Sequence, residues 1–270
     1  MTQARAESSF VRGDGGASVR NRVLANLSVE DFGALKPHLQ RIEIRSRSIL
    51  QEANKPVEYV HFIEHGLVSR VSGGRSCSME TAMVGRFGYT GIAVALGSIL
   101  SSQRSIVRLP GTALRIRADE LSRIFPTRPR IRAEMLRYVQ SLITQNTQSV
   151  LCAAKHEVEQ RVARWLLLAS DRMQSDTLTV THDVLAAIMG VRRAGITNAL
   201  LRLEAEGVLK KTRGAVRLTN RSALEKRACD CYGIVRDAYA CLDSPECKDH
   251  GPVLDHGHEQ PRNATGIVTI

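Results

Sequence analysis

The chain has 270 residues, enough for two domains, and its 43% hydrophobic content can give each a core. A formal net charge of +11 favours a polyanionic partner, and no apolar run reaches the roughly eighteen residues that would mark a membrane span. The start, MTQARAESSFVRGDGG, lacks the apolar core of a secretion signal. That predicts a cytoplasmic protein without membrane contact, whose six cysteines are mostly reduced thiols and not a disulfide framework.

Residues 1–20 are small, charged and glycine-bearing, and are expected to be disordered. From Asn21 a helical segment begins, with Ser28 placed to cap a helix that carries Asp31 and turns Phe32 and Leu35 inward. After Pro37 the pattern changes to short alternating segments. Arg41–Ile44, Ser48–Leu50, Tyr59–Glu64, Leu67–Val71, Cys77–Val84, Ser105–Leu109 and Ala113–Arg117 read as strands. Turn signals separate them, among them His65-Gly66 and Pro110-Gly111, which suggests a small barrel or sandwich rather than a parallel sheet.

A long helix is predicted from Pro129. Leu136, Val139, Ile143, Asn146 and Val150 recur on it at 3-4 spacing, a seam suited to a second copy of the same helix across a two-fold, with an intramolecular core helix as the other reading. In the following HEVEQRVARWLLLAS, Val158, Val162, Trp165, Leu166 and Ala169 share a face that would pack beneath the next element.

That element is HDVLAAIMGVRRAGITNALL, residues 182–201. Gly190 supplies a turn, while Leu185, Ala186, Met189, Val191, Ile196 and Ala199 fall at inward positions, the pattern of a helix-turn-helix. The outward face of its second helix presents Arg192, Arg193, Ala194, Thr197 and Asn198, types that reach base edges or phosphates in a major groove. Beyond Gly207, Val208 and Leu209, a basic turn at Arg213-Gly214, then Val216 and Leu218 read as a two-strand wing. With Arg202, Lys210, Lys211 and Arg213 added, the segment has the electrostatic footprint of a winged-helix DNA binder.

Taken together these segments resemble the CRP/FNR superfamily of bacterial transcription regulators, from about Asn21 to Cys241. FIEHGLVSR is similar to a hairpin of that family, GRFGYTGIAVALG to the turn of its effector pocket, and EVEQRVARWLLLAS with GVRRAGITNALLRLEAEGVLK to its DNA-binding half. RSALEKRACDCY is similar to a subgroup with Cys-x-Cys-Tyr after the winged helix. The resemblance implies an α+β protein with a cyclic-nucleotide-binding-type β-roll, a long dimerisation helix and a C-terminal winged helix-turn-helix. The expected division is a disordered stretch 1–20, a β-roll sensor 21–126, a dimerisation helix 127–154, a winged helix 155–225, and a C-terminal helix and disordered tail 226–270.

What the resemblance implies for ligands is more limited. Cyclic-nucleotide-binding members place a Phe-Gly-Glu carboxylate on the ribose and a downstream Arg on the phosphate. Here Phe87 and Gly88 match, but Tyr89 and Thr90 follow, and Gln103 stands at the Arg position with Arg104 one residue later, on the other face of a strand. A cyclic nucleotide is therefore not the expected effector, and the effector stays unknown. No cysteine precedes Cys77, so the N-terminal iron–sulfur cluster of oxygen-sensing members does not transfer, and His61 and His65 read as solvated hairpin residues. On the recognition helix Arg193 matches the first guanine-reading Arg of the family, while Ala194 replaces a Glu and Asn198 a second Arg, so a different half-site is expected. Arg192, Lys210, Lys211 and Arg213 are assigned to phosphates.

Cys229 and Cys231, with Cys241, Cys247, His250, His256 and His258, do not follow a recognised zinc spacing. On a continuous helix over 223–242, Cys229 and Cys231 would point to different faces, so no metal site is assigned. The expected function is a homodimeric regulator on an inverted-repeat double-stranded DNA operator, with RNA polymerase as a further partner if it activates. The alternative is an effector-independent binder with a degenerate sensor. An enzyme using the barrel cavity is remote: no Ser-His-Asp spacing, phosphate loop or HExxH is present, no catalytic residue is assigned, and Glu52, Glu58 and Glu64 read as surface residues.

Overall fold

The computed structural model describes residues 19–74 and 78–242. The expected disorder before Val19 and after Leu242, and the roles of Cys77, Cys247, His250, His256 and His258, lie outside the described residues. The chain begins with helices α1 (Arg22–Ala25) and α2 (Val29–Leu35), and Ser28 caps α2 by accepting from Asp31 N at 3.1 Å. Strands β1 (Gln40–Ile44), β2 (Ile49–Gln51), β3 (Lys55–Pro56), β4 (Tyr59–Gly73), β5 (Ser78–Val84) and β6 (Tyr89–Thr90) follow, then helix α3 (Ile92–Ala95). Strands β7 (Leu100–Ser101) and β8 (Arg104–Arg117) complete the sheets. The main sheet is antiparallel in the order β1-β8-β4-β5, with β2 on β8 and β6 on β4.

Two expected hairpins are absent. His65-Gly66 and Pro110-Gly111 do not turn the chain; β4 and β8 each run straight through them, paired with each other. The glycines serve a close approach instead. Gly66 has φ +100°, and a Cβ on Gly111 would lie 2.1 Å from the carbonyl oxygen of His65. The register shifts there, so these are facing bulges that bend the two strands together. Glu64 and His61 are correspondingly buried, contrary to the solvated positions expected, while His65 is exposed. Glu64 pairs with Arg41 at 2.6 Å, and His61 Nδ1 lies 3.2 Å from Thr90 Oγ1.

Helix α4 (Ala118–Ile124) leads into α5 (Pro129–Lys155), which starts with proline at its first turn as expected. Ile131, Met135, Tyr138 and Leu142 on α5 are buried at helical spacing. A capping box of Glu157 and Gln160 then starts α6 (Val158–Met173). The short strand β9 (Thr177–Leu178) precedes α7 (His182–Met189) and α8 (Arg193–Ala205), followed by β10 (Leu209–Thr212) and β11 (Ala215–Leu218). The wing has three strands, not two, because β9 pairs with β11.

Helices α9 (Arg221–Arg227) and α10 (Cys231–Ala240) end the described chain. The continuous helix expected here is broken: Ala228, at φ −74° and ψ 155°, turns the backbone into an extended step. Helix α10 returns to α5, where Ser141 Oγ donates to Ala238 O at 2.8 Å and Tyr239 OH to Gln145 Oε1 at 2.8 Å.

Candidate nucleic-acid interface

Gly190 caps α7 at φ 64°, and α7 meets α8 at 113°, within the range of helix-turn-helix pairs. Thr181 caps the start of α7 by accepting from Val184 N at 3.3 Å. Leu185, Ala186, Met189, Ile196 and Ala199 are buried and Val191 packs partly against the same core, so the inner face is as expected. The outer face carries Arg192, Arg193, Ala194, Asn198 and Arg202. Arg193, Ala194, Asn198 and Arg202 are exposed, and Arg192 stands at the entry to the helix. Thr197 is half-buried beside His182, with Nδ1 to Oγ1 at 3.0 Å. Arg193 rests on Asp183 at 3.1 Å, an exposed pair that water screens and that a polyanion can displace.

The wing presents Lys210 and Arg213 to solvent. Lys211 differs from them. Its backbone N–H and its Nζ both reach the Glu204 carboxylate, at 2.8 and 2.9 Å, and these contacts hold that carboxyl below its ordinary range. Lys211 therefore ties the wing to α8, and its charge is committed to Glu204 before any phosphate arrives.

The residues expected to form an effector pocket do not converge. Tyr89 is fully buried; its hydroxyl donates to Met135 O at 3.1 Å and its ring lies 4.9 Å from that of Tyr138. A Cβ on Gly88 would fall 2.0 Å from the Tyr138 ring, so α5 closes directly over this turn. Phe87 packs on Tyr239 of α10 at 6.1 Å, and Thr90 is taken by His61. Gln103 and Arg104 lie elsewhere. Tyr89 pairs with Phe62 on β4, whereas Arg104 pairs with Val71, toward the far end of the same strand. There Gln103 donates to Thr81 at 3.0 Å and Arg104 to Glu52 at 2.8 Å.

On α5, Ile143 and Val150 are 51% and 68% exposed, and Leu136 is half-buried. Val139 is only 4% exposed, packed inside the chain, and so leaves the expected seam; Asn146 is half-buried. The positions sharing the exposed stripe with Leu136, Ile143 and Val150 are Gln140 and Thr147. The reason is that Val139 joins the core cluster of its own chain.

One constellation was missed from sequence. Cys152 in the last turn of α5, His156 at its end, Cys229 within the α9–α10 break and Cys231 at the start of α10 place their ligand atoms within 4.8 Å of one another. Cys152 Sγ is 3.5 Å from Cys229 Sγ, and Cys231 Sγ is 3.6 Å from His156 Nδ1. All three cysteines are free thiols and buried. Sharing protons with Cys229 and Cys231 pulls Cys152 far below the ordinary thiol range and pushes its two partners up. Cys229 and Cys231 do not face apart as expected, because the helix that would separate them is interrupted at Ala228. The i, i+4 spacing of Cys152 and His156 was the legible half of the signal.

The described chain thus runs from a β-roll through a long helix to a winged helix. Residues 160–227 match the Crp-like helix-turn-helix domain family. Among solved structures, the c-di-GMP responsive global regulator CLP of Xanthomonas campestris superposes with a TM-score of 0.59 at 19% identity, over 71% of this chain and 99% of that one. FixK2 of Bradyrhizobium japonicum gives 0.62 at 14% identity, over 71% and 98%. A CRP/FNR-family transcriptional regulator of Thermus thermophilus gives 0.58 at 16%, over 70% and 98%. No curated protein matches by sequence. Residues 160–227 are thus similar to Crp-like helix-turn-helix domains, and over about 70% of the chain the fold is that of these solved structures. Among the described residues no single helix is long and apolar enough to cross a membrane.

Proposed function

We propose that the protein acts as a homodimer whose two α8 helices read an inverted-repeat operator. The observation that carries this is the division of α8 into a buried inner face and an outer one with Arg193, Asn198 and Arg202, next to Arg192 at its start and Lys210 and Arg213 of the wing. A two-fold dimer sets its readers about 34 Å apart, one DNA turn, so the operator is an imperfect palindrome. Arg193 reads a guanine edge and Asn198 an adenine edge, while Arg192, Lys210 and Arg213 hold phosphates.

Of the two views of the β-roll, the effector-independent one is favoured by the packing of Tyr89 and Tyr138 against the turn at Gly88, which leaves no room there for a nucleotide. Selection from random double-stranded DNA with the purified protein, without any metabolite, tests both. A palindrome enriched under those conditions is expected; enrichment only after adding a metabolite extract overturns effector independence, and none in either case overturns the DNA reading. On the selected site Arg193→Ala should cost about 1–3 kcal/mol and relax one base position. Equal loss on random DNA would remove Arg193 from base reading.

A further inference from the structure

We propose that Cys152, His156, Cys229 and Cys231 form a tetrahedral site for one zinc-type divalent ion, which staples the end of α5 to the start of α10. Zinc takes thiolate sulfur at about 2.3 Å and imidazole nitrogen at about 2.0–2.1 Å, so ligand atoms around one tetrahedral ion stand roughly 3.5–3.8 Å apart. The separations of 3.5 Å between Cys152 and Cys229 and 3.6 Å between Cys231 and His156 have that size. Only small side-chain shifts are then needed, since all four atoms already lie within 4.8 Å of each other. Three sulfurs and one nitrogen suit a borderline-soft ion, not magnesium or calcium. An iron–sulfur cluster spreads its ligands over several irons and needs a wider cage than this one.

The surroundings fit the charge of such a site. Three thiolates, a neutral imidazole and a divalent ion sum to one negative charge. Arg164, whose guanidinium bears electrostatically on Cys152 and Cys231, has buried Nε and Nη1 atoms without a hydrogen-bond partner. Only its Nη2 is engaged, on Ser149 at 3.2 Å. Two buried guanidinium nitrogens left this way are costly, and an anionic metal–thiolate centre beside them supplies the missing counter-charge. The ligands also come in local pairs: Cys152 and His156 one helical turn apart, and Cys229 just after the extended Ala228 with Cys231 opening α10.

The place in the fold gives the site a consequence. Between α5 and α6 the chain has only His156 and Glu157, and this joint sets the direction of the DNA-binding domain relative to the helix proposed to pair. A metal joining Cys152 and His156 to the segment after the wing fixes that joint. This consequence rests on the DNA-binding reading above; the site itself does not.

The test uses the full chain, reduced and stripped of metal, titrated with Co²⁺ and then Zn²⁺. The expected result is one Co²⁺ per chain with the intense visible bands of a tetrahedral site and sulfur-to-cobalt charge transfer, displaced by an equal amount of Zn²⁺. Cys229→Ser/Cys231→Ser should abolish these bands. Should that pair fail to fold, His156→Ala, at a half-buried side chain, should keep the fold and weaken Co²⁺ binding at least tenfold. Weak octahedral bands only, binding that survives both variants, bound iron with labile sulfide, or a Cys152–Cys229 disulfide in protein purified without oxygen would each overturn the proposal. A separate measurement of affinity for the selected operator, with and without Zn²⁺, reads the consequence: an unchanged affinity removes the role in DNA binding and leaves the site.

Discussion

At the scale of single residues the β-roll stores a pH dependence. Burial, and to a lesser degree the nearby Arg115 guanidinium, push His61 down to about 4 from an ordinary 6.5. From about pH 4 to 6.5 the imidazole is therefore neutral in the folded chain while the unfolded chain is already protonated. Between those values the unfolded state binds more protons, so stability rises with pH. The contribution is whole above about pH 6.5 and disappears as pH falls toward 4, up to about 3 kcal/mol at about 1.4 kcal/mol per unit. Glu80, a fully buried carboxyl raised mainly by burial, works in the opposite direction. The difference between two proteins must therefore be measured. His61→Gln, which keeps a polar partner for Thr90, should unfold in denaturant with a shallower loss of stability between pH 6.5 and 4 than the parent. Parallel curves would mean that His61 does not titrate in this window.

At the scale of elements the decisive object is α5. Its buried face, with Met135, Tyr138, Val139 and Leu142, belongs to its own chain, while Ile143 and Val150 stand in solvent seven residues apart, a coiled-coil repeat. Charging them with Ile143→Glu/Val150→Glu should leave the melting temperature nearly unchanged and convert a dimer to monomers in sedimentation equilibrium. Val139→Ala should do the reverse, costing about 2 kcal/mol of folding stability while keeping the dimer. A double glutamate variant that stays dimeric would move the interface off this stripe. The 3-4 spacing was legible in the sequence, yet it admitted both Val139 and Gln140 as neighbours of Ile143, because period alone does not say which side the β-roll occupies. The same limit explains the false hairpins in β4 and β8. A glycine required for close approach and a glycine required for a turn look alike until the partner strand is placed. The helix-turn-helix, by contrast, was readable because its glycine and its buried positions all lie within one short stretch. The cysteine cluster was not, because Cys152 and Cys229 are 77 positions apart and meet only after the chain has folded back on α5.

At the scale of the whole molecule the question is how the winged helix sits on the β-roll. The buried carboxylate of Glu80 on β5 accepts from Trp165 Nε1 on α6 at 2.9 Å and from Ser69 Oγ on β4, and Arg108 on β8 donates to the same Ser69 hydroxyl at 2.9 Å. One polar chain thus runs from the sheet into the scaffold of the DNA-binding domain. Beside it Arg161 on α6 donates to Met189 O, the end of α7, at 2.6 Å. Trp165 lines a cavity with Ile188 and Met189 of the helix-turn-helix, as expected, and its indole N–H also reaches Glu80 of the β-roll, which makes it a joint between the domains. Trp165→Phe keeps most of the apolar contact and removes the N–H, leaving a buried carboxylate oxygen short of a donor. That loss should cost about 1–3 kcal/mol in denaturant unfolding of the full chain. Because Glu80 lies on one domain and Trp165 on the other, the double variant Trp165→Phe/Glu80→Gln should recover part of the loss. A strictly additive double variant would mean that the two side chains do not act as a pair. If the coupling holds, a change of packing in the sheet at Ser69 or Arg108 reaches α6 directly. It then alters the setting of α8 without any ligand in the β-roll.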